Sequence, residues 1–360
     1  MKIAVDCRMT GKSGIGAFLD GILPYFVQSE NSFLFLCLND KSSENLVLKY
    51  SKNENVEFLH CATDIFSVKE TFFFPKNLSK KINECGVYFS PYCNIPNGIK
   101  IPIFTTIHDV VFLDIPDLAG KLGTFIRKIF YKKAIFQSKE IFTVSNFSKN
   151  RIGETLNCKK NINVVYSALP EFFYKKDFQN QEKTNSIIFI GNIKKHKGLN
   201  ILIPAFLNFI NSLTEEQKNS VKLIIVGSKQ NFRTQDDTIL NLLSKIPEKN
   251  LEFTGFISDD ELNQKLSTSK ILVQPSLYEG FGLPPLQALF CKTNVILSDI
   301  PVFKEIYKDF PVTFFKSEDI DDLTQKIKKV WAENKKIENI PQKYSFKFTA
   351  QKILDRLTFI

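Results

Sequence analysis

No uninterrupted apolar run in these 360 residues approaches the roughly 18 that a membrane-spanning helix requires. The opening MKIAVDC reads as a buried strand rather than a cleavable leader, so the expected location is the cytosol. The seven cysteines include no CxxC pair and are odd in number, which argues against a disulfide framework and against a zinc site. They read as small buried hydrophobes in a reducing compartment. Histidine is scarce, at three, and no internal repeat or low-complexity tract is visible. A net charge of +10 arrives without a zinc-finger or RNA-recognition signature, and the basic residues are spread along the chain, so nucleic acid is not expected as a partner. The charge suits a different anionic partner, a membrane surface or a phosphorylated substrate, or else reflects a coding preference for lysine.

What is present is ordinary for a soluble globular protein: 43% hydrophobic and 24% charged residues. The length exceeds what one hydrophobic core serves, so two domains are expected. Short apolar runs alternate with helix-length amphipathic segments, the pattern of parallel strands joined by crossover helices. Strands are predicted at 3–5, 33–38, 87–90, 103–107, 141–144 and 163–165, then at 186–190, 223–226, 251–254, 270–274, 294–297 and 312–315. The polar stretch PEFFYKKDFQNQEKTN (170–185) marks a boundary. The expected division is a Rossmann-like domain over 1–168, a linker over 169–185, a second Rossmann-like domain over 186–342 and a tail over 343–360. The apolar spacing in YSFKFTAQKILDRL (344–357) predicts a helix that crosses back to the first domain. Two doubly wound α/β domains in tandem face one another across a cleft, and such sheets bind ligands beyond the carboxyl ends of their strands.

The loops after strands are therefore where chemistry is expected. After the first strand, Gly11 to Gly16 precede a helix predicted to start near Ala17; they make either a tight turn or a seat where backbone N–H groups meet an anion. The spacing is not GxGxxG, and no acid stands where a dinucleotide ribose needs one. His108-Asp109 follows the strand at 103–107, as a structural hydrogen-bonding pair or as groups that donate to a developing charge or orient a sugar-like hydroxyl. GNIKKHKG (191–198) crowds three lysines and a histidine ahead of a helix, which is either a solvated basic loop or a seat for pyrophosphate. PSLYEGFGLPPLQALF (275–290) combines glycines, a helix-starting proline, free first-turn N–H groups and Glu279, an acid expected to be exposed.

Taken in order, DCRMTGKSGIG, TIHDVVFLDIP, FTVSNFSK, IGNIKKHKGLNILIPAF, LIIVG, FTGFISDDEL, VQPSLYEGFGLPPLQAL and SDIPVFKEI make the chain resemble, nearly end to end, a family 4 glycosyltransferase with the GT-B fold, of the kind that builds bacterial surface polysaccharide and lipopolysaccharide. The resemblance implies retaining transfer of a hexosyl group, mannosyl as first choice, from GDP-mannose or a UDP-hexose to a glycan or lipid-linked acceptor. It implies no cofactor and no metal, and the chain has no convincing DxD element: QDD (235–237) and SDDEL (258–262) read as loop and helix caps. By the same resemblance Glu279 holds donor-sugar hydroxyls, the backbone of Phe281, Gly282 and Leu283 approaches sugar and phosphates, and Lys197 neutralises the diphosphate. Gly16, with Gly14 beside it, closes over the diphosphate, and His108 lies beside the transferred sugar. Domain closure onto the donor is the expected motion.

Two positions depart from the family pattern. The acid that takes the ribose diol is Gln287 here, and an arginine common after the glycine of the basic loop is Asn192. Gln287 exchanges a charge-assisted hydrogen bond of about 1.5–3 kcal/mol for a neutral one of about 0.5–1.5, or roughly tenfold in donor affinity. It is also the one feature favouring a different reading, a non-catalytic GT-B subunit that stabilises a partner transferase. Finally, KLGTFIRKIFYKKAIFQSK (121–139) carries six cations and no acid. On a helix Lys121, Lys128, Lys132 and Lys139 form a stripe flanked by Arg127 and Lys133, with Leu122, Phe125, Ile126 and Ile129 on the other side, which suits either an ordinary surface helix or contact with an anionic membrane.

Overall fold

The computed structural model describes residues 1–175, 181–227, 237–333 and 335–359. They form two units, Met1–Glu171 with Tyr344–Ile360, and Phe172–Lys343. The first holds β1 (Lys2–Asp6), β2 (Ser32–Cys37), β3 (Val56–His60), β4 (Val87–Ser90), β5 (Ile103–Thr106), β6 (Ser138–Thr143) and β7 (Ile162–Val164). The second holds β8 (Thr184–Ile190), β9 (Lys222–Val226), β10 (Leu251–Gly255), β11 (Ser269–Gln274), β12 (Asn294–Ser298) and β13 (Val312–Phe315).

Sheet order is β3-β2-β1-β4-β5-β6-β7 in the first unit and β10-β9-β8-β11-β12-β13 in the second. All the paired strands run parallel. Strands such as Val87–Ser90 are buried along their whole length because helices cover both faces of a parallel sheet. In both units the order reverses beside the first strand, between β1 and β4 and between β8 and β11. This is the α/β class with two Rossmann-like units expected from the alternating pattern. One strand, β3, escapes the apolar-run criterion: VEFLH mixes polar residues in, and only Leu59 is buried because β3 is an edge strand paired with β2 alone.

The first helix, Ser13–Val27, starts earlier than the predicted Ala17, so Gly14 and Gly16 are helical. A Cβ on Gly16 would come 2.4 Å from the Met9 carbonyl oxygen, so this glycine lets the helix start fold against its own loop. The Gly11 N–H is already taken by Asp20 Oδ2 at 2.8 Å, which removes one donor from the expected anion seat. The last helix, Phe346–Thr358, belongs to the first unit. Phe346 fills the space a Cβ on Gly21 would need, Thr349 Oγ1 donates to the Tyr166 carbonyl at 2.6 Å, and Arg356 Nε donates to Glu140 at 2.8 Å. Residues 176–180 of the predicted linker and 235–236 of QDD lie outside the described residues. SDDEL caps its helix as expected: Ser258 and Glu261 form a reciprocal capping box. All seven cysteines are free, and five are buried.

At the carboxyl edge of the first sheet a charged cluster is sealed from water. Arg8 donates to Asp6 Oδ2 and to Glu70 Oε1, both at 2.6 Å, with all three side chains at 0% exposure. Tyr88 donates to Asp6 Oδ2 at 2.6 Å, Tyr92 to Glu70 Oε1 at 2.6 Å, and Asn94 and the Phe66 N–H reach Glu70 Oε2 at 2.8 Å each. The guanidinium lies 5.7 Å from the centre of the Phe74 ring. The cluster binds together the segments that follow β1, β3 and β4.

Candidate functional site

In the second unit the switch point lies between β8 and β11, where a doubly wound sheet takes its ligand. The two loops that meet there are the basic one after β8 and the acidic one after β11. Gly198 has φ +77°, and a Cβ on it would stand 2.0 Å from the Pro275 carbonyl oxygen, so only glycine allows the loops to come together. The Leu277 N–H donates to the His196 carbonyl at 2.8 Å across the same seam.

This approach joins the two predicted chemical groups directly. Lys197 Nζ donates to Glu279 Oε1 at 2.7 Å, and Ser276 Oγ donates to the same oxygen at 2.8 Å. Glu279 differs here from the expected exposed acid: its side chain is only 13% exposed, because Lys197 and Ser276 draw it against the loop. His196 is buried behind the pair, and burial, assisted by Lys197, pushes its pKa down to about 4, so its imidazole is neutral. Of the other basic-loop residues, Lys195 and Asn192 stand exposed.

The helix Leu283–Phe290 follows at once, entered through Gly282 at φ +85°. A Cβ on Gly282 would come 2.5 Å from a Phe303 ring carbon. Of the first-turn donors, Pro284 and Pro285 have no N–H, and Leu286 N–H donates to the buried Tyr307 hydroxyl at 3.2 Å. The Tyr307 hydroxyl in turn donates to the Gly282 carbonyl. The free first-turn donors are thus fewer than expected; Gly282 and Leu283 keep N–H groups without a partner among the described residues. Phe281 is buried beside them. One turn on, the Gln287 Nε2 donates to Asn263 Oδ1 at 2.8 Å, while Gln287 Oε1 accepts nothing among the described residues. Asn263, in the helix Asp259–Thr268, is 2% exposed, and its Nδ2 is buried without a partner, a cost of about 1–3 kcal/mol. Ser276, Asn263 and Tyr307 carry no sequence signal, since each acts through a contact between segments distant along the chain.

In the first unit, His108 follows β5, and its Nε2 lies 2.9 Å from the Pro91 carbonyl oxygen. A carbonyl only accepts, so Nε2 carries the hydrogen. Burial pushes the His108 pKa down to about 4, so the ring is neutral and Nδ1 bears the free lone pair. The Phe18 ring meets it edge-on at 5.2 Å. The bond to Pro91 is a structural one, as one reading of His108 expects; of its two chemical roles, this tautomer suits orienting a hydroxyl and not donation to a developing charge.

The helix Gly120–Gln137 buries only Tyr131 and Ala134, and Lys139 falls outside it, on β6. Lys121, Lys128 and Lys132 are exposed, but Leu122, Phe125, Ile126, Ile129 and Phe136 are exposed as well. Two of the six cations are engaged internally. Arg127 lies 4.2 Å from the centre of the Phe112 ring, and Lys133 Nζ donates to the Thr71 carbonyl at 3.1 Å and sits over Phe72. Burial lowers the Lys133 pKa. Lys133 is therefore a structural tie and not an outward contact. Among the described residues no helix is long and apolar enough to cross a membrane.

The family of glycosyl transferases group 1 matches residues 170–346. The O-antigen chain mannosyltransferase RfbU of Salmonella typhimurium is 31% identical over 208 residues, 56% of this chain and 53% of that protein. The O-antigen chain mannosyltransferase B of Escherichia coli is 22% identical over 234 residues, 62% of this chain and 59% of that one. The matches thus span between about half and two thirds of the relatives' length. The structure of Anabaena Alr3699/HepE in complex with UDP-glucose superposes with a TM-score of 0.74 at 15% identity, covering 100% of both chains. Residues 170–346 of this chain are a glycosyl transferases group 1 domain, carried on the GT-B architecture of two Rossmann-like units.

Proposed function

We propose that the chain is a retaining glycosyltransferase that moves a hexosyl group, mannosyl as first choice, from a nucleotide diphosphate sugar to a glycan or lipid-linked glycan in surface polysaccharide synthesis. The observation that carries this reading is the Lys197–Glu279 pair, 2.7 Å apart at the switch point of the second sheet, beside the free N–H groups of Gly282 and Leu283. An arriving diphosphate competes for Lys197 and draws it off the carboxylate. Glu279, still held by Ser276, is then free to accept from sugar hydroxyls. As the C1–O bond to phosphate breaks, Lys197 and the helix end carry the charge on the leaving diphosphate. The acceptor oxygen bonds to C1 on the same face, and its proton passes to the departing phosphate. Gln287 accepts from the ribose. The mannosyl choice is supported by the mannosyltransferases among the relatives.

A thermal-shift screen with GDP, UDP, ADP and dTDP tests the donor site, because a ligand at a hundredfold excess over its Kd stabilises the folded state by about 2.7 kcal/mol. One nucleotide is expected to raise Tm, and the matching nucleotide sugar to be turned over. If no nucleotide stabilises the protein, the donor site is refuted. Binding without release of nucleotide would favour the non-catalytic subunit.

The acceptor side is proposed to meet an anionic bilayer. The Gly120–Gln137 helix has no acid, and its outer face places Lys121, Lys128 and Lys132 alongside Phe125, Ile129 and Phe136, the last 83% exposed. Through Lys133 this face adjoins the segment carrying the exposed Phe72 and Phe73. Three lysines at an anionic surface contribute about 1 kcal/mol each, and the apolar side chains add burial that salt does not screen. The protein is expected to co-sediment with phosphatidylglycerol vesicles and not with phosphatidylcholine. Lys128→Glu with Lys132→Glu should weaken binding at low salt, and Phe125→Ser with Phe136→Ser should weaken it at high salt as well, with donor hydrolysis unchanged. Absence of binding to anionic vesicles, or self-association abolished by the same substitutions, would assign this face to another role.

A further inference from the structure

We infer that Asn263 is a positioning residue that makes an amide serve as a pure acceptor, turning Gln287 so that its oxygen and not its –NH2 group meets the ribose hydroxyls of the donor. The inference rests on the donor site proposed above. A glutamine amide is two-faced: half a turn about its last torsion exchanges an acceptor for a donor with almost no change of shape. A diol that donates two hydrogen bonds needs the acceptor end.

The structure supplies the lock. Gln287 Nε2 is tied to Asn263 Oδ1 at 2.8 Å, and Oε1 is left accessible with no partner of its own. The same Asn263 oxygen lies 4.0 Å from the Cys291 thiol, one turn further along the chain from Gln287, so two donors from one helix converge on it. Flipping the Asn263 amide would turn its –NH2 toward both of them. Asn263 satisfies nothing else: its own Nδ2 is buried and unpaired, in a place between two helices that an apolar side chain would fill without an orphaned group. Its polarity is accounted for by what it does to Gln287. A locked acceptor of this kind distinguishes a ribonucleotide, with two hydroxyls to donate, from a 2′-deoxyribonucleotide with one.

The test is a set of binding titrations on the full chain with whichever of UDP or GDP binds and with its 2′-deoxy counterpart. Wild type is expected to prefer the ribonucleotide. Asn263→Leu should weaken ribonucleotide binding about tenfold and the deoxy form, which keeps one hydroxyl, by less, narrowing the preference. Asn263→Asp, which keeps the acceptor, should keep the preference. In a Gln287→Glu background Asn263→Leu should have no effect on it, because a carboxylate accepts whichever way it turns. Should the leucine variant fail to fold, Asn263→Ala takes its place. A ribo/deoxy ratio unchanged by Asn263→Leu, or an equal loss in both backgrounds, would show that Asn263 only packs. If no nucleotide binds wild type, the donor site itself fails and this inference with it; if only dTDP, which lacks the 2′-hydroxyl, binds, the inference fails while the donor site stands.

Discussion

Replacing Arg8 by methionine is expected to destabilise the first unit by about 3–5 kcal/mol, the cost of removing one partner from a buried ion cluster. Methionine fills much of the volume between Phe74 and Tyr92 but leaves Asp6 and Glu70, both at 0% exposure, with only neutral donors. Tyr92 donates to Glu70 at 2.6 Å and lies 3.2 Å from Asp6, so one hydroxyl would stand between two like charges. The loss should therefore come from uncompensated charge and not from packing. A triple variant that adds Asp6→Asn and Glu70→Gln should recover most of it. Calorimetry on the whole chain resolves this, since two units need not unfold as one and the effect belongs to a single transition. A shift worth less than about 1 kcal/mol for Arg8→Met, or no recovery in the triple variant, would show that the cluster is not electrostatically strained by the loss.

The second large effect concerns chemistry. Lys197→Ala and Glu279→Gln are each expected to lower turnover with the identified donor by about 10²–10³-fold, the scale seen when one preorganised group facing developing charge is removed. The two should differ in how they fail. Without Lys197, charge on the leaving diphosphate loses its cation while Glu279 keeps the Ser276 hydrogen bond, so the loss falls on kcat. Without the Glu279 carboxylate, Lys197 is released from its 2.7 Å partner and meets the diphosphate without competition. Nucleotide binding should then hold or tighten while transfer is lost. The double variant should be less impaired than the product of the singles, because the pair acts as one unit. Wild-type turnover in Glu279→Gln would remove the acid from the mechanism, and an unchanged rate in Lys197→Ala would move the phosphate role to Lys194 or Lys195.

Much of the scaffold is legible in the sequence because strands covered on both faces must be apolar throughout. Val87–Ser90 is read with its observed bounds, and the helical period over 344–357 points to the helix Phe346–Thr358. The edge strand Val56–His60 is illegible for the complementary reason: Glu57 and His60 are exposed and only Leu59 is buried. The early start of the first helix was hidden because glycines at 14 and 16 read as a turn until the Met9 carbonyl is seen against Gly16.

Residue types and their order along the chain named the candidates: in the second unit a lysine after one strand and an acid with a glycine-led helix after another, and in the first unit a histidine after a strand. What they do to one another is a matter of distance, which sequence spacing does not encode. Lys197 and Glu279 are 82 residues apart, yet they pair because Gly198 and Pro275 let two loops touch. Gln287 reads as a neutral substitute for an acid until Asn263 is found holding its amide, and His108, open in sequence to a structural or a chemical role, has its Nε2–H donated to the Pro91 carbonyl. The six cations of 121–139 look alike in sequence, but packing turns Lys133 inward and leaves Phe125 and Phe136 outside. Periodicity and composition settle which segments must be buried, since burial is a property of the local pattern. Hydrogen-bond partners, protonation and orientation were decided by the tertiary structure, because each depends on a neighbour that the chain reaches only by folding.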